Sequence, residues 1–252
     1  MVVYLIGIIK GDVRYTYLSQ LLENSILSNE LKDFYDIDRL VLPFKGINNE
    51  MLIYGTNINI LDILQNNRIN VIYTGNANVK LKKLCDKNGI TLYEMLNDLH
   101  FTQENAFLTA KGILYLLHRD FKDISDENIL ILGYGNIAFY LAKLLKAFNA
   151  NFKIYPNNEI EKKYITLEGY RLLPDLTKLD NIIINTIPSN LDIDYKKLKN
   201  CRIIDVASAP YGFDAIKIEQ DNINYEIWAA IPSKFAPVSA AEIIKKYMLS
   251  HQ

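Results

Sequence analysis

Apolar runs of about four to eight residues alternate along this chain with longer stretches in which apolar positions recur every three or four residues. The short runs have the pattern of strands buried on both faces, and the longer ones that of helices with one apolar stripe. Residues 2–9 are the first such run. Gly11-Asp12-Val13-Arg14 follows as a polar turn, with Asp12 placed to cap a helix over 15–27. Strands are predicted at 39–44, 70–73 and 90–93, with a helix over 78–88 that Gly89 closes. Residues 51–64 hold short elements whose type the pattern leaves open. A long helical pattern covers 102–119. Beyond a polar turn at 121–127, strands are predicted at 129–132, 152–155, 181–185, 202–206 and 225–228, with a short helix over 195–199 and a last one over 237–249.

Strands alternating with helices imply parallel sheets. The expected fold is α/β in two lobes. Residues 1–119, including the connecting helix, form the first. Residues 120–252 form the second, a Rossmann-type nucleotide-binding domain with a parallel sheet, whose final helix (237–249) packs back on the first lobe.

The second lobe is organised around Gly133-Tyr134-Gly135-Asn136-Ile137-Ala138, a G-x-G-x-x-A turn. A buried-strand run precedes it, and a helical stripe (Ile137, Leu141, Leu144, Leu145, Phe148) follows it. In such a unit the glycines let the backbone approach a pyrophosphate at the helix N-terminus. The motif alone also occurs in plain βαβ turns; its context favours a nucleotide. An acid about 20 residues past the turn would bond the ribose of NAD. Here the strand runs into Tyr155-Pro156-Asn157-Asn158, with no acid before Glu159. That pattern favours NADP over NAD, with Asn157 beside the nucleotide and Lys162 or Lys163 as phosphate partners. A site that has lost its nucleotide stays open as an alternative.

Composition narrows the functional class. The chain has 252 residues, of which 50% are hydrophobic and 23% charged, enough for a full core. A net charge of -1 argues against nucleic acid or an anionic membrane as partner. No apolar run approaches the roughly 18 residues of a membrane span, and the first ten residues lack the features of a signal peptide. A cytoplasmic address is expected. Cys85 and Cys201 lack metal or redox spacing, so neither a disulfide nor a metal site is expected. No G-x-S-x-G elbow is present.

Ligands of open α/β sheets lie beyond the carboxyl ends of the strands. Three turns fall there, at 185–189, 205–214 and 229–237, and they carry hydroxyls, prolines and the carboxylates of Asp205 and Asp214. Those carboxylates either cap backbone groups or accept a proton; the pattern allows both.

Taken together, these pieces resemble the A-subunit family of dipicolinate synthase over nearly the whole chain. Gly11, Asp12 and Arg14 match its first turn, Leu42-Pro43 its second, and Thr74-Gly75-Asn76 its third. Thr109 and Gly112 match its connecting helix, and residues 184–188 its I-N-T-I-P strand end. Asp205, Ala207, Ser208, Pro210, Gly212 and Asp214 match D-x-A-S-x-P-x-G-x-D; Pro232 and Ala236-Pro237 match the approach to the last helix. The chain departs from the family at Lys111, where an acid is usual, and at Ala209, where a base is. It departs again at Tyr211, Ala230 and Ser233 (glycines), at Phe213 (threonine) and at Val238 (lysine).

The resemblance implies NADP-linked oxidation of dihydrodipicolinate to dipicolinate during sporulation, alongside a flavoprotein-like second subunit. A homo-oligomer is expected. Arg14, Asn76 and Thr109 would bind the substrate, and Asp205, Ser208 and Asp214 would serve the chemistry. Cofactor contacts would come from residues 133–138 with Asn157, Thr186, Ile187 and Pro188. A guanidinium takes a carboxylate bidentately, which fits Arg14 for a clamp; the plain alternative is pairing with its own helix. Two other functional readings remain, a nucleotide-binding relative that serves as a partner-binding subunit without catalysis, and a 2-hydroxyacid dehydrogenase. The latter calls for a late His–carboxylate pair. His251 is the only late histidine and sits at the expected frayed end, while His100 and His118 have ordinary helical positions.

Overall fold

The computed structural model describes residues 5–120 and 123–251; residues 2–4 of the first expected strand and 121–122 of the polar turn lie outside it. The first set of elements is β1 (Ile6–Ile9), α1 (Val13–Leu21), β2 (Ser25–Ser28), β3 (Arg39–Val41), α2 (Ile60–Gln65), β4 (Val71–Thr74), α3 (Val79–Asn88) and β5 (Thr91–Glu94). All strand pairs are parallel, in the order β2-β1-β3-β4-β5.

Helix α4 (Leu99–Asp120) leads into β6 (Asn128–Leu132), α5 (Asn136–Ala147), β7 (Asn151–Tyr155), α6 (Glu159–Leu167), β8 (Ile182–Asn185), β9 (Arg202–Asp205), α7 (Ala215–Gln220) and β10 (Asn224–Ile227). The second sheet is also parallel, in the order β10-β9-β8-β6-β7. Helices α8 (Ile231–Phe235) and α9 (Pro237–Ser250) close the chain. Both sheets share one winding pattern, so strand order reverses between β1 and β3 in the first and between β6 and β8 in the second. Those reversals are where doubly wound sheets hold ligands, beyond the strands' carboxyl ends.

Two compact units result, Met1–Asn105 with Pro232–Gln252, and Ala106–Ile231. The division falls inside α4, whereas the sequence reading joined its lobes after residue 119 and counted the last helix with the second. Continuous helical periodicity gives no sign of where along a helix the packing changes. In the first unit β1 and β3 are fully buried. One face packs Leu40, Ile60, Ile63, Ile72 and Leu81; the other packs Ile8, Val41 and Tyr73 beneath Tyr15 and Leu18 of α1 and Ala241, Ile244 and Met248 of α9. The last helix thus covers the first sheet, as expected. In the second unit Leu130, Leu132, Ile183 and Ile203 pack with Phe213 and Ile218.

Several expectations shift. Helix α1 stops at Leu21 because Asn24 takes a left-handed backbone (φ 58), after which residues predicted as helix become the edge strand β2. Helices α6 and α7 were not anticipated: α6 buries only Ile165 and α7 only Ile218, too little apolar periodicity to read. Helix α5 buries Ala138, Leu141, Ala142 and Leu145, one position round from the expected stripe, and leaves Phe148 exposed. Small residues on that face let the helix lie close to the sheet.

Candidate functional site

The carboxyl end of β6 carries the glycine turn. Gly133 has φ +89, and a Cβ there would stand 2.7 Å from Thr186 Oγ1 and 2.8 Å from Ile187 Cγ1. The loop after β8 is therefore folded down on this glycine. Thr186 donates through its backbone N (3.0 Å) and its hydroxyl (2.8 Å) to the Leu132 carbonyl, and Ile187 is buried while Pro188 is exposed. Gly135 differs. It is the N-cap of α5, has an ordinary backbone conformation and no side-chain cap, and a Cβ there would meet nothing within 4 Å. The helix thus presents the N–H groups of Asn136, Ile137 and Ala138 beside open space, where a pyrophosphate needs backbone approach and a positive dipole end. A dinucleotide fits this cradle. Tyr134 lies mostly buried against Phe139 and Tyr170, and burial holds its phenol well above the usual tyrosine range, with Tyr170 and Glu168 adding to the rise.

An acid does stand at the end of β7. Glu161, in the first turn of α6, turns back so that its Oε2 accepts from Tyr134 N and from Asn157 N, each at 2.8 Å. Asn158 caps α6 through Ile160 N and Glu161 N, which places Glu161 at the third helical position. Sequence reading missed this residue because it sought the acid on the strand. The Asn-x-x-Glu spacing of a capping box was the available signal. Lys162, expected as a phosphate partner, pairs with Glu159 at 3.2 Å.

The end of β9 and the loop beyond it carry the two proposed proton acceptors. Asp205 is fully buried and its carboxylate takes four donors: Asn185 Nδ2 (3.0 Å) and Ala207 N (3.0 Å) on one oxygen, Gly212 N (2.9 Å) and the Tyr225 hydroxyl (3.0 Å) on the other. Burial and the adjacent Asp205 keep the Tyr225 phenol protonated far above the ordinary range. Asp214 caps α7 through Ile216 N and Lys217 N. Asp205 thus ties the loop's backbone to Asn185 and Tyr225, and Asp214 caps a helix. Ser208 is exposed on that loop.

In the first unit, Asp12 caps α1 and grips Arg14 Nε through both oxygens (2.8 and 3.1 Å). The Arg14 guanidinium lies 4.5 Å over the Phe44 ring, at the carboxyl end of β3. Its terminal nitrogens bond no described residue, so pairing orients the guanidinium and leaves its fork available. Asn76 is exposed after β4, and its amide bonds no described residue either. In the second unit Thr109 is buried on α4.

The histidines and cysteines are structural. His251 stacks on Tyr247 (4.2 Å) and meets Tyr93 edge-on, so this residue is packed, not frayed. His118 bonds the Leu114 carbonyl, and His100 sits beside Glu104 and Lys246. Burial pushes the Cys85 thiol up to about 11, which removes it as a nucleophile near neutrality.

The departures from the family also acquire positions. Tyr211 (φ 73) and Ala230 (φ 56), both glycines in the family, hold left-handed backbone. Phe213 is core, packed with Tyr225, while Ala209 and Val238 are exposed and Lys111 reaches over Phe107. Ala230→Gly should stabilise the chain by about 1 kcal/mol, the left-handed penalty of ~1–2 kcal/mol less glycine's entropy cost. Thermal denaturation would read this as a rise of about 2–4 °C; a fall would remove the strain argument.

These features define a Rossmann-type α/β fold: two parallel five-stranded sheets, helices over them, and a glycine turn at the reversal of the second. No family profile matches the chain. It is 25% identical over 229 residues to the dipicolinate synthase A subunit of Bacillus subtilis, covering 84% of this chain and 76% of that protein. The crystal structure of that synthase's A chain, also from Bacillus subtilis, superposes with a TM-score of 0.78 at 22% identity, over 99% of this chain and 96% of that one. The A subunit from Bacillus halodurans gives 0.79 at 20%, over 98% and 97%. A D-isomer specific 2-hydroxyacid dehydrogenase from Lactobacillus delbrueckii, in an NAD complexed form, shares the fold at 0.53 and 11%, over 97% and 95%. The resemblance to the A-subunit family of dipicolinate synthase therefore holds in sequence and in fold.

Proposed function

We propose that this chain is the nucleotide-binding subunit of a dipicolinate synthase and oxidises dihydrodipicolinate to dipicolinate with a nicotinamide dinucleotide. The observation that carries the reading is the uncapped N-terminus of α5 beneath Gly135, open to a pyrophosphate, in a chain related to the A subunits. When bound, the nicotinamide supplies the hydride acceptor. The dihydropyridine ring gives up that hydride and one proton and becomes aromatic.

The chain's own residues bind and orient. Asn136, Ile137 and Ala138 direct N–H groups at the pyrophosphate, and Thr186, Ile187 and Pro188 wall the glycine turn. At the carboxyl end of the first sheet, Arg14 takes one substrate carboxylate with its free fork and Asn76 donates an amide. Ser208 offers an exposed hydroxyl on the loop after β9 for the departing proton. Assembly of several copies and pairing with a flavoprotein-like second subunit belong to the same reading, as does a role in sporulation. Among the described residues, no helix is long and apolar enough to cross a membrane.

One observation favours a second reading. Both oxygens of Asp205 are taken up, by Asn185 Nδ2, Ala207 N, Gly212 N and the Tyr225 hydroxyl, so this predicted proton acceptor is not free. A nucleotide-binding relative that serves as a partner-binding subunit without catalysis fits that arrangement.

Titration of the chain with NADH and NADPH, followed by dipicolinate formation from fresh dihydrodipicolinate with and without the partner subunit, separates the readings. Binding with oxidation supports the first, and binding without oxidation in either case supports the second. Absence of nucleotide binding overturns both. In the active system, Arg14→Ala should raise KM for the dicarboxylate by ~10-fold or more, since it removes a charge-assisted pair. An unchanged KM would take Arg14 out of the site.

A further inference from the structure

The acid missing from the β7 strand is replaced from the next helix. We infer that Glu161 is the ribose-binding carboxylate of this chain and that it selects NAD(H) over NADP(H); this rests on the nucleotide site proposed above. In a βαβ nucleotide unit the adenosine ribose lies between the first turn and the end of the second strand, where a carboxylate accepts from its hydroxyls. Glu161 Oε2 bridges these two places, taking Tyr134 N from the glycine turn and Asn157 N from two residues past β7. A capping role alone would account for a bond near Asn158 but not for the one that reaches across to Tyr134. The other oxygen, Oε1, bonds no described residue and remains an acceptor for a ribose hydroxyl.

Charge decides the specificity. A 2′-phosphate placed here would bring up to two negative charges against a carboxylate held by two hydrogen bonds. Of the two lysines expected as counter-charge, Lys162 pairs with Glu159. The sequence expectation of NADP rested on the lack of an acid at this strand end, and that premise fails.

The test uses the whole chain and the fluorescence of reduced nicotinamide, titrating NADH and NADPH into the wild type, Glu161→Gln and Glu161→Ala, with thermal melting as the check on folding. Glutamine keeps an oxygen for the two N–H groups and removes the charge. The wild type should bind NADH at least ~10-fold more tightly than NADPH, and Glu161→Gln should bring the ratio to about 1 with little change in melting. Glu161→Ala should likewise lose the preference. A wild type that binds NADPH as tightly as NADH overturns the selectivity, and a ratio unmoved by both variants overturns the residue's role. In either case the nucleotide site itself stands. If neither nucleotide binds the wild type, the site and this inference fail together.

Discussion

Asp205→Ala should destabilise the chain by about 3–5 kcal/mol, the range for removing one partner from a buried charged network. Four donors converge on this carboxylate: Asn185 Nδ2, Ala207 N, Gly212 N and the Tyr225 hydroxyl. The carboxylate itself is fully buried. For a chain of this size the loss corresponds to a melting point lower by roughly 10 °C. Asp205→Asn should also destabilise, because the new NH2 would face donors on one side. Asp214→Ala sets the scale: it loses only a helix cap, at about 1 kcal/mol. If Asp205 were instead a proton acceptor, Asp205→Asn would melt like the wild type and lose turnover. Thermal denaturation of the three variants decides between these outcomes.

The second large effect is a contrast within one motif. Gly133→Ala places a methyl 2.7 Å from Thr186 Oγ1 on a backbone at φ +89. Left-handed strain of ~1–2 kcal/mol and overpacking of ~1–3 kcal/mol then add, so the variant should unfold more readily. Gly135→Ala meets neither penalty, because its backbone is ordinary and its surroundings are open. Its melting point should hold within the error of measurement. Nucleotide affinity should fall by ~10-fold or more, because the methyl occupies the approach that a pyrophosphate needs. A Gly135→Ala variant that melts normally and binds nucleotide normally would end the claim that this turn is a phosphate cradle.

Much of this was legible because it depended on local pattern. The parallel strands announced themselves as apolar runs, and the glycine turn by its spacing between a strand and a helix. The Gly89 stop (φ 64) closed α3 as expected. Readings failed where distant residues decided. Asp205 looked like chemistry at the carboxyl end of a strand, and only the return of Gly212 and Tyr225 to the same oxygen shows that it is framework. Glu161 looked like an ordinary helical acid, and only its reach to Tyr134 gives it a role. The edge strand β2 was hidden by apolar residues that also continued the helical stripe of α1.

The first unit is discontinuous, because its sheet is covered on one face by α9, which arrives more than 130 residues after β5. During synthesis the second unit, continuous over Ala106–Ile231, can complete its core as soon as it emerges. The first cannot. Until residues 237–250 are made, α1 covers Ile8, Val41 and Tyr73 without α9. That interval is the time at which the nascent chain exposes the part of this apolar sheet face that α9 covers, and at which a holding chaperone would engage it. Translation stalled before Pro237 would then leave a chain with one finished unit and one aggregation-prone face.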